Sequence, residues 1–502
     1  MLTIRLVADP TGFDALVLPV RPVEATTPDQ GRSTGEPDRD ERPVAELPPI
    51  APALPEELLA EATALLPLVE QTGSAGTTHL AARALRQPSR LLLVGVGAGD
   101  EAGWRAAGAA ITRSTRETSI TIAMPADVTP EAVRGLAEGL WLASYRFRLA
   151  QATEPAGLTE VLIAVADPAA HEPALELARV TARTTRFARD LINTPSSTKS
   201  PQWLADQIVA AAAEHPGLTV GVREPEQLAD EGFGGILAVG GGSATGPRLV
   251  ELSWHPAGAS THVVLVGKGI TFDTGGISIK PREAMKLMRK DMAGAAAIVA
   301  ATLGAAELRL PVRITALAPL AENMVSGSAF RPGDVIRHYG GLTSETTNSD
   351  AEGRLVLADA LAYAVEQLAP DLLIDIATLT GANAVALGKR HAALYSENDE
   401  LAEALIGAGR TAGELAWRMP LPNDYVEYLG SDIADLYSAP ASGAGSVTAA
   451  LYLREFTGPL RDRWVHVDMS APSWAEGNDG PVTKGATGYG VRTLLRWLGD
   501  LG

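Results

Sequence analysis

The chain has 502 residues, of which 46% are apolar and 20% are charged. This composition is that of an ordinary globular protein, so we expect a large buried core and exclude wholesale disorder. The formal net charge is −18 and no basic run occurs, which argues against nucleic acid and anionic membranes as partners. The chain has no cysteine, so disulfides, thiolate zinc sites and a cysteine nucleophile are excluded. Any metal ion must be held by oxygen and nitrogen.

Neither an export signal nor a membrane-spanning segment is predicted. Arg5, Asp9 and Asp14 interrupt the apolar runs near the N-terminus, and no stretch of about 18 apolar residues occurs. We therefore expect a cytoplasmic protein without a membrane partner.

The first 175 residues predict a small α/β domain. Short apolar runs indicate strands, and an Ala-rich helix is expected at residues 100–112. The predicted strands are residues 2–7, 15–20, 91–96, 119–124 and 161–165. A Pro-rich, acid-rich segment at residues 25–55 has too few apolar residues to fold alone, so we expect a surface loop there.

Residues 176–502 predict a larger catalytic domain, an α/β fold with a mostly parallel central sheet flanked by helices. A connecting helix within 176–200 is interrupted by the turn Asn193-Thr194-Pro195, and a second helix follows at 201–213. Apolar strands then alternate with Ala-rich helices, which is typical of a sheet covered on both faces. These strands are predicted at residues 236–239, 262–266, 312–317, 372–376 and 464–467. Ligands of such sheets bind outside the carboxyl ends of the strands, so the loops there should hold the chemistry.

A first polar run follows the predicted strand that ends at residue 266. Its glycines permit tight turns, and Lys268 and Asp273 leave the sheet at its carboxyl edge. Lys280 follows, and Asp291 precedes a predicted helix at 294–303. Taken alone, Asp291 is best interpreted as the N-cap of that helix.

A second polar run spans residues 348–354 and enters a predicted helix at 355–368. In extended backbone alternate residues point the same way, so Asp350, Glu352 and Arg354 are expected to converge. The alternative is a helix N-terminus whose acids face the helix dipole. The two runs together favour a metal site, because four buried carboxylates require cations to neutralise them. Two divalent ions would balance that charge if Lys268 is neutral.

These segments closely resemble the signatures of the leucyl (cytosol) aminopeptidase family of two-metal exopeptidases. Three segments carry the resemblance, Gly267–Lys280, Asp291-Met292-Ala293-Gly294 and Asn348–Leu355. It continues through Glu322-Asn323-Met324, Arg331-Pro332-Gly333-Asp334, Ala377-Thr378-Leu379-Thr380-Gly381 and Lys484-Gly485-Ala486-Thr487-Gly488. The sequence Asp350-Ala351-Glu352-Gly353-Arg354 is highly specific to the family. The similarity begins near Asn193, and the N-terminal domain matches only loosely. One departure is Ser470-Ala471-Pro472, where the family commonly has an Ala-Gly pair.

The resemblance implies a role for each matching residue. The ligands of two divalent ions would be Lys268, Asp273, Asp291, Asp350 and Glu352, with Asp273 and Glu352 shared between the ions. Lys280 and Arg354 correspond to the family's two catalytic residues, and Arg354 would anchor a bicarbonate that carries the proton. Residues that match the substrate cleft are Met288, in the specificity pocket, and Asn348, Thr378, Leu379 and Gly381.

The implied activity is removal of the N-terminal residue, leucine and other mainly apolar residues, from peptides and aminoacyl amides. A hydroxide bridging the two ions would attack a carbonyl that one ion polarises, and a protonated Lys280 would stabilise the oxyanion. Lys268 can bind metal only when unprotonated, so its pKa must fall far below the usual value of about 10.4. The ligands suit Mn²⁺ or Zn²⁺, with Mg²⁺ and Co²⁺ as further options. The resemblance also implies a homohexamer.

Two other functions are alternatives at this point. A non-catalytic or DNA-binding regulatory protein on the same scaffold would be indicated by loss of a ligand or of Lys280, and none is lost. The net charge of −18 also opposes contact with nucleic acid. A metal-dependent hydrolase acting on another amide or on phosphate esters is the second alternative.

Overall fold

The computed structural model describes residues 2–10, 14–23, 45–149, 157–440 and 443–502. The predicted loop at 25–55 therefore lies for the most part outside the described residues. Within those ranges, no helix is both long and apolar enough to span a bilayer. The chain divides into two compact units, Met1–Ala182 with Gly477–Thr483, and Arg183–Glu476 with Lys484–Gly502.

The first unit is a sheet with helices on both faces. Its strands are β1 Thr3–Val7, β2 Ala15–Pro22, β3 Ala45–Glu46, β4 Thr78–Ala82, β5 Arg90–Gly95, β6 Ser119–Ala123 and β7 Glu160–Ala164. Its helices are α1 Glu56–Leu68, α2 Glu101–Ser114 and α3 Pro130–Ala143. The strand order is β1-β7-β6-β2-β5-β4, with β3 beside β2. Alternate residues of β2 serve two cores, because Val17 packs in the cluster of Trp104 and Leu18 in that of Leu58.

A long helix, α4 Pro168–Asn193, precedes the strands and helices of the second unit. The helices of that unit are α5 Pro201–Ala213, α6 Pro225–Glu231, α7 Gly234–Gly240, α8 Arg282–Met285, α9 Ala293–Glu307, α10 Glu352–Tyr363, α11 Ala382–Leu387, α12 Asp399–Ala412, α13 Gly445–Arg454 and α14 Val491–Asp500. Its strands are β8 Leu218–Arg223, β9 Arg248–Trp254, β10 His262–Gly267, β11 Gly269–Asp273, β12 Arg313–Asn323, β13 Val335–Arg337, β14 Thr343–Glu345, β15 Leu372–Ala377, β16 His391–Tyr395, β17 Leu415–Arg418, β18 Leu436–Tyr437, β19 Trp464–Asp468, β20 Trp474–Ala475 and β21 Gly485–Ala486. Short 3₁₀ turns occur at Met288–Lys290, Asn423–Leu429 and Gly458–Arg463, and a π-helical turn at Ala364–Leu368 extends α10.

The central sheet of the second unit has the order β17-β16-β19-β15-β10-β12-β9-β8, with β11 beside β12. Strands β19, β15, β10, β12 and β11 run parallel, whereas β9 is antiparallel to β12. Alternate residues of β10 face two cores, since Leu265 packs in the cluster of Ile298 on α9 and Val264 in that of Leu357 on α10. The predicted fold class, a small α/β domain followed by a larger domain with a mostly parallel sheet, is confirmed.

One predicted strand is wrong. Residues 236–239 lie in the helix α7, whose Ile236 backbone N–H donates to Asp359 Oδ2 at 2.9 Å. Four apolar residues fit a buried strand and a buried helical turn equally well, so periodicity could not decide. Glycines at the start of α7 allow this helix to pack closely against neighbouring backbone. A Cβ atom at Gly234 would lie 2.0 Å from the Arg337 carbonyl oxygen, and one at Gly235 would lie 2.4 Å from that of Leu355.

A polar cluster of buried His262, buried Thr315 and exposed His255 lies at β10, β12 and the end of β9. The Nε2 atoms of His255 and His262 are 3.2 and 3.0 Å from Thr315 Oγ1. Burial, reinforced by the charge of Arg313, lowers the pKa of His262 to about 4. An unfolded histidine titrates near pH 6.5. Between pH 4 and pH 6.5 the unfolded chain therefore binds a proton at residue 262, whereas the native chain does not. Stability therefore falls as the pH drops through this range.

We expect His262→Gln to remove this acid sensitivity. Between pH 7 and pH 5 the wild type should lose about 2 kcal/mol of unfolding free energy that the variant keeps, because the variant has no proton to take up. Urea unfolding of both proteins at both pH values measures the difference. A wild-type to variant difference that is the same at pH 7 and pH 5 would contradict the expectation.

Candidate metal centre

The candidate residues of both polar runs meet at the carboxyl edge of the central sheet. Lys268 lies between β10 and β11, and Asp273 is the last residue of β11. Glu352 is the first residue of α10, and Asp350 lies just before it. Carboxylate oxygens of Asp273, Asp350 and Glu352 lie within 4.8 Å of one another. Segments far apart in sequence therefore form one acidic cluster.

Lys268 joins Asp291 to this cluster. Its Nζ is 2.9 Å from Asp291 Oδ2 and 2.8 Å from Glu352 Oε1, and it donates to the Thr378 carbonyl oxygen at 3.1 Å. Burial alone would lower the pKa of Lys268, but the Asp291 and Glu352 carboxylates raise it above its ordinary value. When only carboxylates surround it, Lys268 is an ammonium ion. Its deprotonation in a metal-loaded centre stays a prediction.

Lys280 is the second cation of the cluster. Its Nζ is 2.7 Å from Asp273 Oδ2 and also contacts Asp350 Oδ1. Burial opposes the charge, yet the carboxylates of Glu352 and Asp273 raise the pKa of Lys280 above its usual range. The side chain is therefore a protonated donor beside the carboxylates.

The carboxylates are incompletely satisfied by protein groups. Burial raises the pKa of all four, and the neighbouring carboxylates raise it further. Within the part of the chain that the structure describes, the buried atoms Asp291 Oδ2, Asp350 Oδ1 and Glu352 Oε1 have no polar partner besides the lysine ammonium groups, and buried Glu352 Oε2 has none. The two lysine ammonium groups offset half of the negative charge. Buried oxygens without partners are costly, and oxygen is the ligand that hard divalent ions prefer, so the residues present fit such ions.

Glycines allow two helices to approach Lys268. A Cβ atom at Gly353, in the first turn of α10, would lie 2.5 Å from Lys268 Cε and 2.6 Å from its Nζ. A Cβ atom at Gly294, near the start of α9, would lie 2.7 Å from the Lys268 backbone nitrogen and 2.2 Å from the Ile376 carbonyl oxygen. Any side chain at either position would displace Lys268 or the sheet edge.

Asn323 orients one carboxylate and was not identified as a site residue from the sequence. Its Nδ2 donates to Asp273 Oδ1 at 2.8 Å and to the Ser349 carbonyl oxygen at 3.0 Å. The Gly275 backbone N–H donates to the same Asp273 oxygen at 2.8 Å. Asn323 ends β12, opposite Asp273 of β11. Its only signal in the sequence was its place within the matching segment Glu322-Asn323-Met324.

Asp468 is a second residue that sequence analysis missed. It ends β19 and is 1% exposed. Its Oδ1 accepts from the backbone N–H groups of Leu379 and Ser470, both at 3.1 Å. Its Oδ2 accepts from the Thr380 N–H at 2.9 Å, from Thr380 Oγ1 at 2.7 Å and from Asn383 Nδ2 at 2.6 Å. This carboxylate holds the loop after β15, which contains three of the predicted cleft residues.

The predicted cleft residues occupy different positions around the cluster. Thr378 Oγ1 donates to Asp291 Oδ1 at 2.7 Å, so this side chain also supports a carboxylate. Gly381 precedes α11, and a Cβ atom there would meet nothing within 4 Å. Asn348 Oδ1 accepts from the Asp350 backbone N–H at 2.9 Å. Met288 is half-buried in the 3₁₀ turn before Asp291, and Leu379 is half-buried after β15.

Two expectations about individual residues are wrong. Asp291 is not the N-cap of α9, because Met292 holds that position and Asp291 instead pairs with Lys268. The extended backbone expected from Glu352 to Arg354 is also wrong, because helical backbone begins at Glu352 and the rule of alternation does not apply there, although the charge of Glu352 still acts on Arg354. Arg354 Nη1 donates to the Ser438 carbonyl oxygen at 2.6 Å, and its buried Nε has no hydrogen-bond partner within the described ranges.

Comparisons with known proteins point to one family. The sequence model of the cytosol aminopeptidase family, catalytic domain, matches residues 186–495, and that of the family's N-terminal domain matches residues 44–153. A probable cytosol aminopeptidase of Corynebacterium glutamicum is 49% identical over 326 residues, which are 64% of each chain. One from Micrococcus luteus is 43% identical over 430 residues, 81% of this chain and 83% of the relative.

A solved structure is similar over nearly the whole chain. It is the bottromycin maturation enzyme BotP in complex with Mn, which aligns with a TM-score of 0.83 and 34% sequence identity. The alignment covers 98% of this chain and 100% of that chain.

We expect Gly353→Ala to weaken metal binding although it changes no ligand. The added methyl group must push Lys268 away from the carboxylates, and loss of such support costs about tenfold to a hundredfold in metal affinity. Titration calorimetry of metal-depleted protein with Mn²⁺ measures the effect. Gly407→Ala in α12 is the matched control, because a Cβ atom there meets nothing within 4 Å and affinity should be unchanged. Equal affinities of the two variants would contradict the role assigned to Gly353.

Proposed function

This chain belongs to the cytosol aminopeptidase family and is a metal-dependent aminopeptidase, and we propose that its buried acidic cluster is the two-metal catalytic centre. The ligands in this proposal are Lys268, Asp273, Asp291, Asp350 and Glu352, with Asp273 and Glu352 shared by both ions. The observation that carries it is four clustered carboxylates that have only two lysine ammonium groups to offset their charge, with buried Glu352 Oε2 lacking any hydrogen-bond partner among the described residues. We assign this centre to a catalytic domain formed by residues 176–502.

We propose Mn²⁺ as the first candidate for the ions, followed by Zn²⁺, with Mg²⁺ and Co²⁺ as further options. Four carboxylates and one amine form a ligand set that suits each of these ions. The similarity to BotP in complex with Mn favours manganese. A chelating agent should therefore remove the ions and the activity together.

When bound, the ions supply a Lewis acid for the scissile carbonyl and make water acidic enough to act as a nucleophile at neutral pH. Lys280 contributes an ammonium donor beside Asp273, where it stabilises the oxygen that gains negative charge. A donor of this kind is worth about 3 kcal/mol. Arg354 stays protonated and cannot act as a base. Its unpaired Nε is available to an anion, and we propose that this anion is a bicarbonate that carries the proton.

We propose that the substrate is a peptide or aminoacyl amide with a free N-terminus, and that leucine and other mainly apolar residues are preferred. Met288 would contact the first side chain, and Asn348, Thr378, Leu379 and Gly381 would line the rest of the cleft. A homohexamer in the cytoplasm completes the proposal. The regulatory, DNA-binding alternative is not favoured, because every ligand and Lys280 are present and the net charge is −18.

Hydrolysis of leucyl amide tests the function as a whole. Metal-loaded protein should release leucine, and a chelator should reduce the rate to background because the nucleophile depends on the ions. Readdition of Mn²⁺ or Zn²⁺ should restore the rate. The proposal fails if the chelator removes the metal and leaves turnover unchanged.

Two substitutions should separate catalysis from metal binding. Lys280→Gln is expected to lower kcat by at least about a hundredfold while the metal content stays at two ions, since the oxyanion donor is lost but the ligands remain. Asp350→Asn should lose both metal and turnover. Asp462→Asn, at an exposed position, is the control. Elemental analysis and steady-state kinetics of the same preparations provide the data, and full metal content in inactive Asp350→Asn would contradict its role as a ligand.

A further inference from the structure

The segment between Lys280 and Asp291 has almost no apolar anchorage. From residue 281 to residue 290 no side chain is fully buried. The segment nevertheless carries Met288 in its 3₁₀ turn and delivers Asp291 to the acidic cluster. Its position must therefore be fixed by polar contacts.

Lys199 supplies such a contact from beneath the segment. This lysine lies in the turn between α4 and α5 and is 0% exposed. Its Nζ donates to the carbonyl oxygens of Leu191 and Ile192, both at 3.0 Å, and to that of Arg289 at 2.7 Å. The first two carbonyls belong to the last turn of α4, where the helix offers no partner of its own. The third belongs to the turn that holds Met288.

The hydrogen-bond donors of the Lys199 ammonium group match the acceptors around it in number and type. It has three donors and no acceptor, and three carbonyl oxygens surround it. Holding a charge there is costly, since burial, with the charge of Arg289, lowers the pKa of Lys199 to about 7. An apolar side chain would avoid that cost but would leave all three carbonyls without a donor. Lys199 therefore stabilises the position of the main chain at Arg289.

Other polar contacts hold the same turn from its opposite side. The Arg289 guanidinium lies 4.9 Å from the centre of the Trp474 ring, and Lys290 Nζ donates to the Ser470 carbonyl oxygen. In both contacts the turn is attached through its own long side chains, those of Arg289 and Lys290. Lys199 instead donates a hydrogen bond to the backbone of the turn. Removal of Lys199 would leave the turn attached by flexible groups.

We propose that Lys199 is a positioning residue that fixes the turn Met288–Lys290 and thereby sets the enzyme's selectivity for the first side chain of its substrate. This inference rests on the proposed function. Asp291 has independent support from Thr378 and Lys268, so loss of Lys199 leaves the metal ions in place. The effect falls on Met288, which precedes Arg289 in the same 3₁₀ turn.

The test compares leucyl and alanyl amides with metal-loaded wild type, Lys199→Met and Lys199→Gln. We expect Lys199→Met to lower the ratio of kcat/KM for leucyl over alanyl amide about tenfold, mainly through a higher KM for the leucyl substrate, with two ions still bound. Lys199→Gln retains two donors and should give an intermediate ratio, and it serves alone if Lys199→Met does not fold. Lys286→Met, an exposed lysine of the same segment, is the control and should keep the wild-type ratio.

The outcomes distinguish this inference from the proposed function. If the wild type shows no metal-dependent hydrolysis of either amide, the proposed function fails. If the wild type is active and the Lys199 variants slow both substrates equally, the role in selectivity is overturned and Lys199 is structural. Loss of metal from Lys199→Gln would also overturn the inference, because the effect would then lie at Asp291.

Discussion

The repulsion among four clustered carboxylates, three of them buried and that of Asp350 half-buried, is the constraint on which the rest of the site depends. Burial and mutual proximity raise the pKa of each carboxylate, and the lysines offset only part of their charge. Such a cluster would disperse unless the backbone forced it together. The parallel strands all end at one edge of the sheet, and the helices α9 and α10 begin there. Together they hold the carboxylates close to one another. Divalent ions then convert a costly arrangement into a binding site.

Close backbone packing makes this convergence possible. Gly294 and Gly353 allow the first turns of α9 and α10 to lie against Lys268, at distances that no Cβ atom could occupy. The N-terminal end of a helix carries partial positive charge, so both helices also favour the nearby carboxylates electrostatically. Gly294 and Gly353 therefore determine the geometry of the cluster as much as its carboxylates and Lys268 do.

Much of the fold and the site could be predicted because its signals are local. The apolar run of β10 predicts a strand, and the polar residues that follow it predict a metal site. Residues 236–239 were wrongly predicted as a strand, since four apolar residues fit either structure and the contacts of Gly234 and Gly235 come from backbone distant in sequence. Asn323 and Asp468 were missed for a related reason. Each acts through hydrogen bonds to residues far away in sequence, and only the sheet pairing reveals those partners.

Hydrogen bonds connect the turn Met288–Lys290 to the loop that follows β15. Ser470 stands at the centre of this connection, because its N–H donates to Asp468, its Oγ donates to the Thr380 carbonyl oxygen and its own carbonyl accepts from Lys290. This residue lies in the segment that departs from the family's common Ala-Gly pair, and an alanine could not make the bond to Thr380. Hydrogen bonds depend on single atoms, whereas apolar packing tolerates substitution of similar volume. Polar residues outside the acidic cluster, such as Ser470, therefore hold the loops around it through bonds that a single substitution can remove.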